Sequence, residues 1–475
     1  MDHPVNYRHA NGIGVLDFIE VVFINYNAEH STTKQENHIH MSNLLLSSKG
    51  RMYAFGIMYL SEGIPYGFAT AAMAMHMRMQ GLTIEQIGAF IAAVLLPWGF
   101  KWAWAPLIDL VKFRRFGGRK AWLVICTVMM CITLITMAVV DFVAHFQLIV
   151  WMVILNNIFG ATQDVAIDSL AVSTLKDNER ARANGFMFGG QYTGIAMGGG
   201  GAIFVSSVWG FNTSLMFVCA ALLAVLLFVI FFVKDPEVQK TEQRYELGTL
   251  TRFLSTFRQF FRDLYTGFMD SGSGPKVGIL FALLPVGAMA LAYAILSTIQ
   301  VDYGLSERQI SQLSIAQSIV AATGCLTGGF LGHRFGVKRM TALFYSLTII
   351  PAIYLAVQIQ LVGLANIPIT HFRAVILTHG FLFGMAFAVR IAIFMGMTKP
   401  AVAATQFTAY MALSNIAISL GNLWQGTVAE HFGYSMALYL DAVIIVAALS
   451  VMPFLKNREE KPEMIEGDAV PAQAA

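Results

Sequence analysis

Long apolar segments run through the chain, and they restrict its possible folds more than any other feature of the sequence. Each is close to the ~20 residues that an α-helix needs to cross the hydrocarbon core of a bilayer. Only 12% of the residues are charged, whereas soluble proteins carry about 25%. Because lipid offers backbone groups no hydrogen-bond partner, such segments must fold as helices. The sequence therefore predicts an all-α polytopic membrane protein whose twelve transmembrane helices, spans 1 to 12, are 52–77, 84–108, 120–142, 147–175, 184–208, 213–233, 277–300, 307–331, 339–360, 372–398, 402–428 and 434–455.

The first six spans and the last six repeat each other. The segment GLTIEQI at 81–87, between spans 1 and 2, recurs as GLSERQI at 304–310, between spans 7 and 8. The basic segment RFGGRK at 115–120 recurs as RFGVKR at 334–339, each after the second span of its half. The matches occur in the same order, so they predict two six-helix halves. Carriers built in this way bind their substrate between the halves, near the bilayer midplane.

The repeat and the changes in composition predict five regions. They are an N-terminal extension at 1–50, an N-terminal half at 51–234, a central loop at 235–275, a C-terminal half at 276–457 and a tail at 458–475. The extension is polar, and its one apolar stretch is too short to span a bilayer. We interpret it as disordered or surface-lying, or as preceding a true start at Met41 or Met52, and we expect no signal peptide.

The central loop contains an amphipathic segment at 246–269, where apolar residues at helical spacing alternate with Arg252, Arg258 and Arg262. This pattern is typical of a helix that lies on a membrane surface. A solvated linker helix is an equally good interpretation.

Lysine and arginine concentrate in the loops after the even-numbered spans, and such loops are cytoplasmic in most membrane proteins. The loop after span 2 alone holds Lys112, Arg114, Arg115, Arg119 and Lys120. On the other side the loop cations are Arg78, Arg308 and Arg373. We therefore expect both termini in the cytoplasm.

Four charged residues lie deep inside apolar spans. Asp164 and Asp168 share one face of span 4, and Lys101 and Arg390 are the cations at similar estimated depth. Charge at this depth is costly and usually faces a cavity, a partner charge or a proton path. One interpretation is a fixed pair of Lys101 with Asp164 or Asp168. The other is a substrate or proton site in which Asp164 and Arg390 take part.

Several motifs resemble those of known transporters. The loop after span 8 is similar to the signature of the major facilitator superfamily, except that His333 stands where that family has Asp. The first-half copy is longer and incomplete. KWAWAPLID at 101–109, GRKAW at 118–122 and ATQDVAID at 161–168 resemble AmpG-type muropeptide permeases, whose branch includes acetyl-coenzyme A transporters and siderophore importers.

The resemblance implies a cavity lined by spans 1, 4, 7 and 10, with Asp164 and Arg390 facing each other across it. It implies gating residues in the two signature loops, which are Asp109, Arg119, Lys120, Gly332, Arg334, Gly336 and Arg339. Spans 5 and 8 meet between the halves in the resembled fold, so their glycines are expected to let the halves move past each other.

Glu62, near the midplane of span 1, is a candidate for the coupling proton, or simply a carboxylate turned to water. Five polar residues are candidate substrate partners or ordinary interhelix hydrogen bonds, namely Gln163, Gln191, Tyr192, Gln406 and Asn415. Together with Lys101, Asp164, Asp168 and Arg390, they make up the predicted substrate and proton site.

The sequence has no Walker loop, zinc-ligand spacing or G-x-S-x-G motif, so we expect neither an enzyme nor an ATP-driven pump, and no cofactor or metal. The first hypothesis is a proton-coupled importer of a bulky polar or anionic solute, such as a muropeptide, acting as a monomer. Its partners are then a small-molecule substrate, protons and the lipid bilayer, with no nucleic acid. A ferric-siderophore importer, a lipid or drug exporter and a receptor that does not transport are the alternatives.

Overall fold

The computed structural model describes residues 43–104, 108, 118–141, 144–235, 249–269, 273–284, 289–398 and 403–455. The predictions for residues 1–42, for Asp109 and for the tail at 458–475 lie outside the described residues.

Helices account for all the spans of both halves. In the N-terminal half they are Ser48–Gly67 with the π-helix Phe68–Met73 and Ala74–Met79 (span 1), Ile84–Phe100 (span 2), Arg119–Val139 (span 3), Phe146–Thr174 (span 4), Asp177–Ala196 with the π-helix Met197–Gly201 and Ala202–Trp209 (span 5), and Phe211–Phe232 (span 6). The connecting helix, Thr249–Met269, follows. In the C-terminal half they are Ser273–Leu283 and Ala294–Asp302 (span 7), Glu307–Phe335 (span 8), Val337–Val362 (span 9), Ile369–Met397 (span 10) and Ala403–Val451 (spans 11 and 12).

Eight helices in the described part of the chain are long and apolar enough to cross a membrane. The last of them contains two spans, because its backbone turns at Gly433, where φ is 82°. Spans 1 and 5 are divided by π-helical turns, and span 7 stops at Leu283 and resumes at Ala294. This confirms the predicted all-α fold of two six-helix halves.

The first repeated motif is a helix-to-helix turn. Gly81 and Gly304 adopt positive φ values of 86° and 91°, which only glycine tolerates without strain, and so reverse the chain. Two residues later Thr83 and Ser306 start spans 2 and 8 with capping boxes, in which a glutamine side chain also returns to the cap. Both copies of the motif therefore specify the same turn through their own residues.

The second repeated motif begins the third helix of each half. Gly118 precedes span 3 with φ 70°, and Gly336 precedes span 9 with φ 94°. The basic residues that follow, Arg119 and Lys120 in one half and Lys338 and Arg339 in the other, mark one end of the bundle, called the basic end below. The other end carries the turns at Gly81 and Gly304 and is called the opposite end.

Glycines in span 5 were expected at the interface between the halves, but most pack inside the N-terminal half. A Cβ atom on Gly190 or Gly198 would meet the backbone of span 1 at 1.9 Å or less. Gly200 does face span 8, at Ile315. The expectation was wrong for most of the stretch because spans 1 and 5 approach more closely than spans 5 and 8.

The glycines of span 8 behave in the same way. A Cβ atom on Gly324 would lie 2.2 Å from the Phe381 oxygen of span 10, within the same half. The close contact between the halves uses Gly88 and Gly99 of span 2 instead, which face Asn422 and Ile416 of span 11.

An ion pair fixes the start of span 1 to the start of span 5. Arg51 donates to both carboxylate oxygens of Glu179, at 2.9 and 2.6 Å. The two side chains are only 8% and 10% exposed, so the pair is largely shielded from water.

Candidate functional site

A cavity of about 940 Å³ lies between the two halves. Spans 1, 2, 4 and 5 form one wall and spans 7, 8, 10 and 11 the other. The cavity reaches Arg119 and Ser173 near the basic end. Its position and size fit the predicted site between the halves, because ligand pockets typically measure about 300–1,000 Å³.

Three carboxylates, Glu62, Asp164 and Asp168, line the N-terminal wall of the cavity. Lys101 donates a hydrogen bond to the carboxylate of Asp164, and the two side chains form a salt bridge. Their exposed fractions are 17% and 3%, so the pair is largely shielded from water. Of the two interpretations of these charges, the pair Lys101–Asp164 is the one that this structure contains.

The other two carboxylates have neutral partners. The Tyr59 hydroxyl donates to Asp168 at 2.5 Å, and Gln191 Nε2 donates to Glu62 Oε1 at 2.7 Å. Glu62 Oε2 is buried and has no hydrogen-bond partner among the described residues. Among the described acids of this wall, Glu62 is therefore the one with a fully buried oxygen that lacks a partner.

Among the described residues that line the C-terminal wall, Arg390 carries the charge. This residue is only 2% exposed, and its guanidinium lies 5.3 Å from the Phe387 ring centroid and 5.9 Å from that of Phe394. Its Nε atom has no hydrogen-bond partner, and no carboxylate among the described residues forms an ion pair with it. Asp164 and Arg390 lie on opposite walls of the cavity, and Asp164 is paired with Lys101 in this structure.

Of the five polar candidates, Gln191, Tyr192 and Asn415 line the cavity. Tyr192 contacts Cys325 across the two halves at 3.3 Å, and Asn415 Nδ2 donates to the Trp98 oxygen at 3.2 Å.

Gln163 and Gln406 do not lie on the cavity wall. Gln163 Nε2 donates to the Thr127 hydroxyl at 2.6 Å, between spans 4 and 3. Gln406 Nε2 donates to the Gly267 oxygen of the connecting helix at 2.8 Å. Both side chains are buried and hold helices together, as the interhelix interpretation expected.

The predicted gating residues of the first half bind within that half. The Arg119 backbone N–H donates to Asp235 at 3.0 Å, its guanidinium donates to Ser173 at 3.2 Å, and Lys120 donates to the Ile230 oxygen at 2.6 Å. These contacts tie the ends of spans 3, 4 and 6 together.

In the second half, the Gly332 Cα faces Val389 of span 10, and Gly336 forms the turn before span 9. Arg334 lies over the Phe335 ring, and Arg339 is exposed. A gating role for either loop stays a prediction.

Sequence reasoning missed one face of span 10. His379, Phe383 and Phe387 line the cavity along with Arg390. His379 is 1% exposed, and its Nδ1 atom has no hydrogen-bond partner among the described residues. The spacing of four, four and three residues is that of one helix face, so following the face back from Arg390 would have found them.

Sequence reasoning also missed a polar cluster that joins the halves at the opposite end, called the latch below. Arg78 at the end of span 1 donates two 2.6 Å bonds to Asp302 at the end of span 7. Tyr434 donates to the same carboxylate at 2.7 Å, and Glu430 accepts from the Ile84 N–H at 2.7 Å. The latch joins the two halves at the opposite end through residues of spans 1, 2, 7, 11 and 12.

The two six-helix halves and the cavity between them define a membrane transporter. A sequence model of the Major Facilitator Superfamily matches residues 54–286 and 277–472, and the chain belongs to this family. A Rickettsia conorii protein named AmpG 4 is 22% identical over 415 residues, which are 86% of this chain and 97% of that protein. The anhydromuropeptide permease of Escherichia coli K12 is 22% identical over 386 residues, 79% of this chain and 73% of that protein.

Solved structures share the fold. The inward-open xylose transporter XylE from E. coli gives a TM-score of 0.66 at 12% identity, covering 87% of this chain and 98% of that one. The nucleoside transporter NupG gives 0.61 at 16% identity, covering 88% of this chain and all of that one. The resemblance to AmpG-type permeases is confirmed by the sequence relatives, and the fold by these structures.

Proposed function

We propose that the chain is a proton-coupled secondary importer of a bulky anionic solute of the muropeptide class, located in a bacterial inner membrane with both termini in the cytoplasm. The observation that carries this proposal is the buried Arg390 guanidinium, which lines the cavity without a protein counter-ion among the described residues. Relatives named for AmpG and for anhydromuropeptide transport support the substrate class.

Arg390 binds the anionic group of the substrate. Guanidinium groups bind carboxylates with two parallel hydrogen bonds, and such charge-assisted bonds are about twice as strong as neutral ones. Phe387 and Phe394 flank the guanidinium and leave its donors to a ligand in the cavity. The volume of about 940 Å³ has room for a solute much larger than a single sugar.

Glu62 carries the coupling proton. Lys101 neutralises Asp164, and Tyr59 donates to Asp168, whereas Glu62 keeps one carboxylate oxygen without a partner among the described residues. A proton on that oxygen removes negative charge from the wall that faces an entering anion. Binding of the proton and of the anion thereby favour each other, and the proton gradient drives uptake.

The latch and the cavity define the state of the transport cycle. The latch joins the halves at the opposite end, while the cavity extends to Arg119 at the basic end. With the basic end in the cytoplasm, as the lysine and arginine bias favours, this is an inward-facing state. Opening of the latch and closure of the basic end complete the exchange of access.

Uptake assays test the substrate. The chain is expressed in a bacterial strain that lacks its own muropeptide permease, and labelled anhydromuropeptide and a labelled ferric siderophore are offered to inverted and right-side-out vesicles. We expect muropeptide accumulation in right-side-out vesicles that stops when an ionophore collapses the pH gradient. Siderophore uptake alone would assign a ferric siderophore as the substrate instead, and no uptake of either by protein correctly inserted in the membrane would refute the proposal.

Reporter fusions test the orientation independently. Fusions at Glu242 and after Lys456 should show cytoplasmic activity, and a fusion at Asp141, between spans 3 and 4, should show the reverse. An external signal at Glu242 would invert the assignment of the cavity to the inward-facing state.

A further inference from the structure

The connecting helix, Thr249–Met269, packs on the basic end through one narrow face. Phe260 stacks on Trp102 of span 2 with centroids 5.9 Å apart, and Phe268 meets Tyr410 of span 11 at 5.1 Å. Gln406 donates to the Gly267 oxygen. The helix therefore lies against spans 2 and 11, one from each half.

A second face of this helix is apolar and exposed. Leu254 is 58% exposed, Phe261 43%, Tyr265 64% and Met269 44%. Successive residues turn by about 100°, so these four fall within one sector of about 80°. This sector borders the packed face of Phe260 and Phe268, and Phe261 lies at the border, where its ring also meets Trp102 edge-on at 5.8 Å.

The basic residues lie at the far edge of the apolar sector. Arg258 and Arg262 are exposed, and around the helix Arg258 falls between Tyr265 and Met269, whereas Arg262 follows Met269. Among the described residues, Arg258 has no ion pair, and Arg262 contacts only its neighbour Gln259, at 3.2 Å.

Polar residues complete the circumference. Gln259 and Asp263, which bond to each other at 3.4 Å, follow the arginines around the helix. The order around the helix is therefore protein, apolar, basic and polar.

We propose that the connecting helix is a binding site for anionic phospholipid, with its apolar sector in the acyl region and Arg258 and Arg262 on the headgroup phosphates. A bilayer surface is apolar, then anionic, then aqueous over the width of a single helix, and this is the order of the three free sectors. A protein surface does not require this order of apolar, basic and polar sectors, whereas a bilayer surface does. The site is separate from the transport cavity and does not depend on its substrate.

Fluorescence of full-length protein in vesicles tests this assignment. In a variant whose four native cysteines are replaced by alanine, a single cysteine with an environment-sensitive dye is placed by Leu254→Cys in the apolar sector or by Gln259→Cys in the polar one. In phosphatidylglycerol vesicles, we expect blue-shifted emission and quenching by spin-labelled lipid for the first position and neither for the second. Equal emission at the two positions would overturn the proposal.

The arginines are tested with a matched pair of charge changes. Arg258→Gln with Arg262→Gln should weaken binding of phosphatidylglycerol to the purified protein, by roughly fivefold per arginine. Arg308→Gln with Arg373→Gln, which removes two charges at the opposite end, should leave it unchanged. Equal affinity for phosphatidylglycerol and phosphatidylcholine, or a dye response that grows with the protein-to-lipid ratio, would contradict headgroup binding and indicate apolar burial alone or a second copy.

Discussion

The charged side chains on the two walls of the cavity differ in their partners. On the N-terminal wall every carboxylate has a donor from the protein, since Lys101 bonds to Asp164, Tyr59 to Asp168 and Gln191 to Glu62. On the C-terminal wall Arg390 is 2% exposed, its guanidinium lies against the Phe387 and Phe394 rings, and no carboxylate among the described residues pairs with it.

We infer from this difference that the paired charges stabilise the fold and that Arg390 binds a ligand. A protein loses much stability when one member of a buried ion pair is removed, because the charge of the other member is left without a partner. A buried charge without a partner costs stability as it stands, and a chain keeps it where a function needs it. Mutations on the first wall should therefore act on folding, and those on the second on transport.

The largest effect is expected for the Lys101–Asp164 pair. Asp164→Asn or Lys101→Met should each lower stability by about 3–5 kcal/mol, because each leaves a lone buried charge. The double variant should recover most of the loss. Melting temperatures of the purified variants measure this, with Asp168→Asn, which loses a bond to a neutral tyrosine, as the milder control. A double variant no more stable than the singles would show that the two walls do not differ in this way.

The next effect concerns Arg390. Arg390→Gln should weaken substrate binding by about 2–5 kcal/mol, at least about thirtyfold, because the anion loses its charged partner. Its melting temperature should stay the same or rise, since an unpaired buried charge has been removed. Binding and thermal unfolding are measured on the same preparation, and Arg390→Lys should keep part of the affinity. A fall in stability with normal uptake would assign Arg390 to the fold.

Glu62 tests whether one group on the first wall acts in coupling. Glu62→Gln should abolish the substrate accumulation that a pH gradient drives, while exchange of substrate across the membrane continues. For one proton and one pH unit, the accumulation that is lost is about tenfold, or 1.4 kcal/mol. Uptake into vesicles with and without the pH gradient separates driven accumulation from exchange. Glu85→Gln, on the same half but at the opposite end, is the control. Unchanged accumulation would leave the first wall purely structural.

The smallest effect is expected at the latch. Arg78 and Asp302 are each 22% exposed, so Arg78→Gln should change the balance of states by only about 0.2–1 kcal/mol. The opposite end should then open more often. A cysteine at Ser297, which donates to the Thr70 oxygen on the cavity wall, should react up to about fivefold faster with an impermeant maleimide added from outside. Arg308→Gln should have no such effect, and an equal acceleration there would remove the latch from the gating model.

The sequence by itself determined the helices, the two halves and the turns that repeat. These depend on signals within a few residues, such as the apolar length of each span, the left-handed Gly81 and Gly304 and the capping boxes that follow them. It also located the buried charges, because a charged residue in an apolar span is visible without any knowledge of its neighbours.

Only the tertiary structure decided which partner each charged or polar residue has. By its estimated depth Asp164 could pair with either Lys101 or Arg390. The packing of span 2 against span 4 places Lys101 beside it. Gln163 and Gln406 looked equivalent to Gln191 in sequence, but helix rotation turned them away from the cavity. The latch joins Arg78 to Asp302, which are 224 residues apart. Such contacts depend on the relative rotation and position of separate helices, and no local pattern in the chain specifies those.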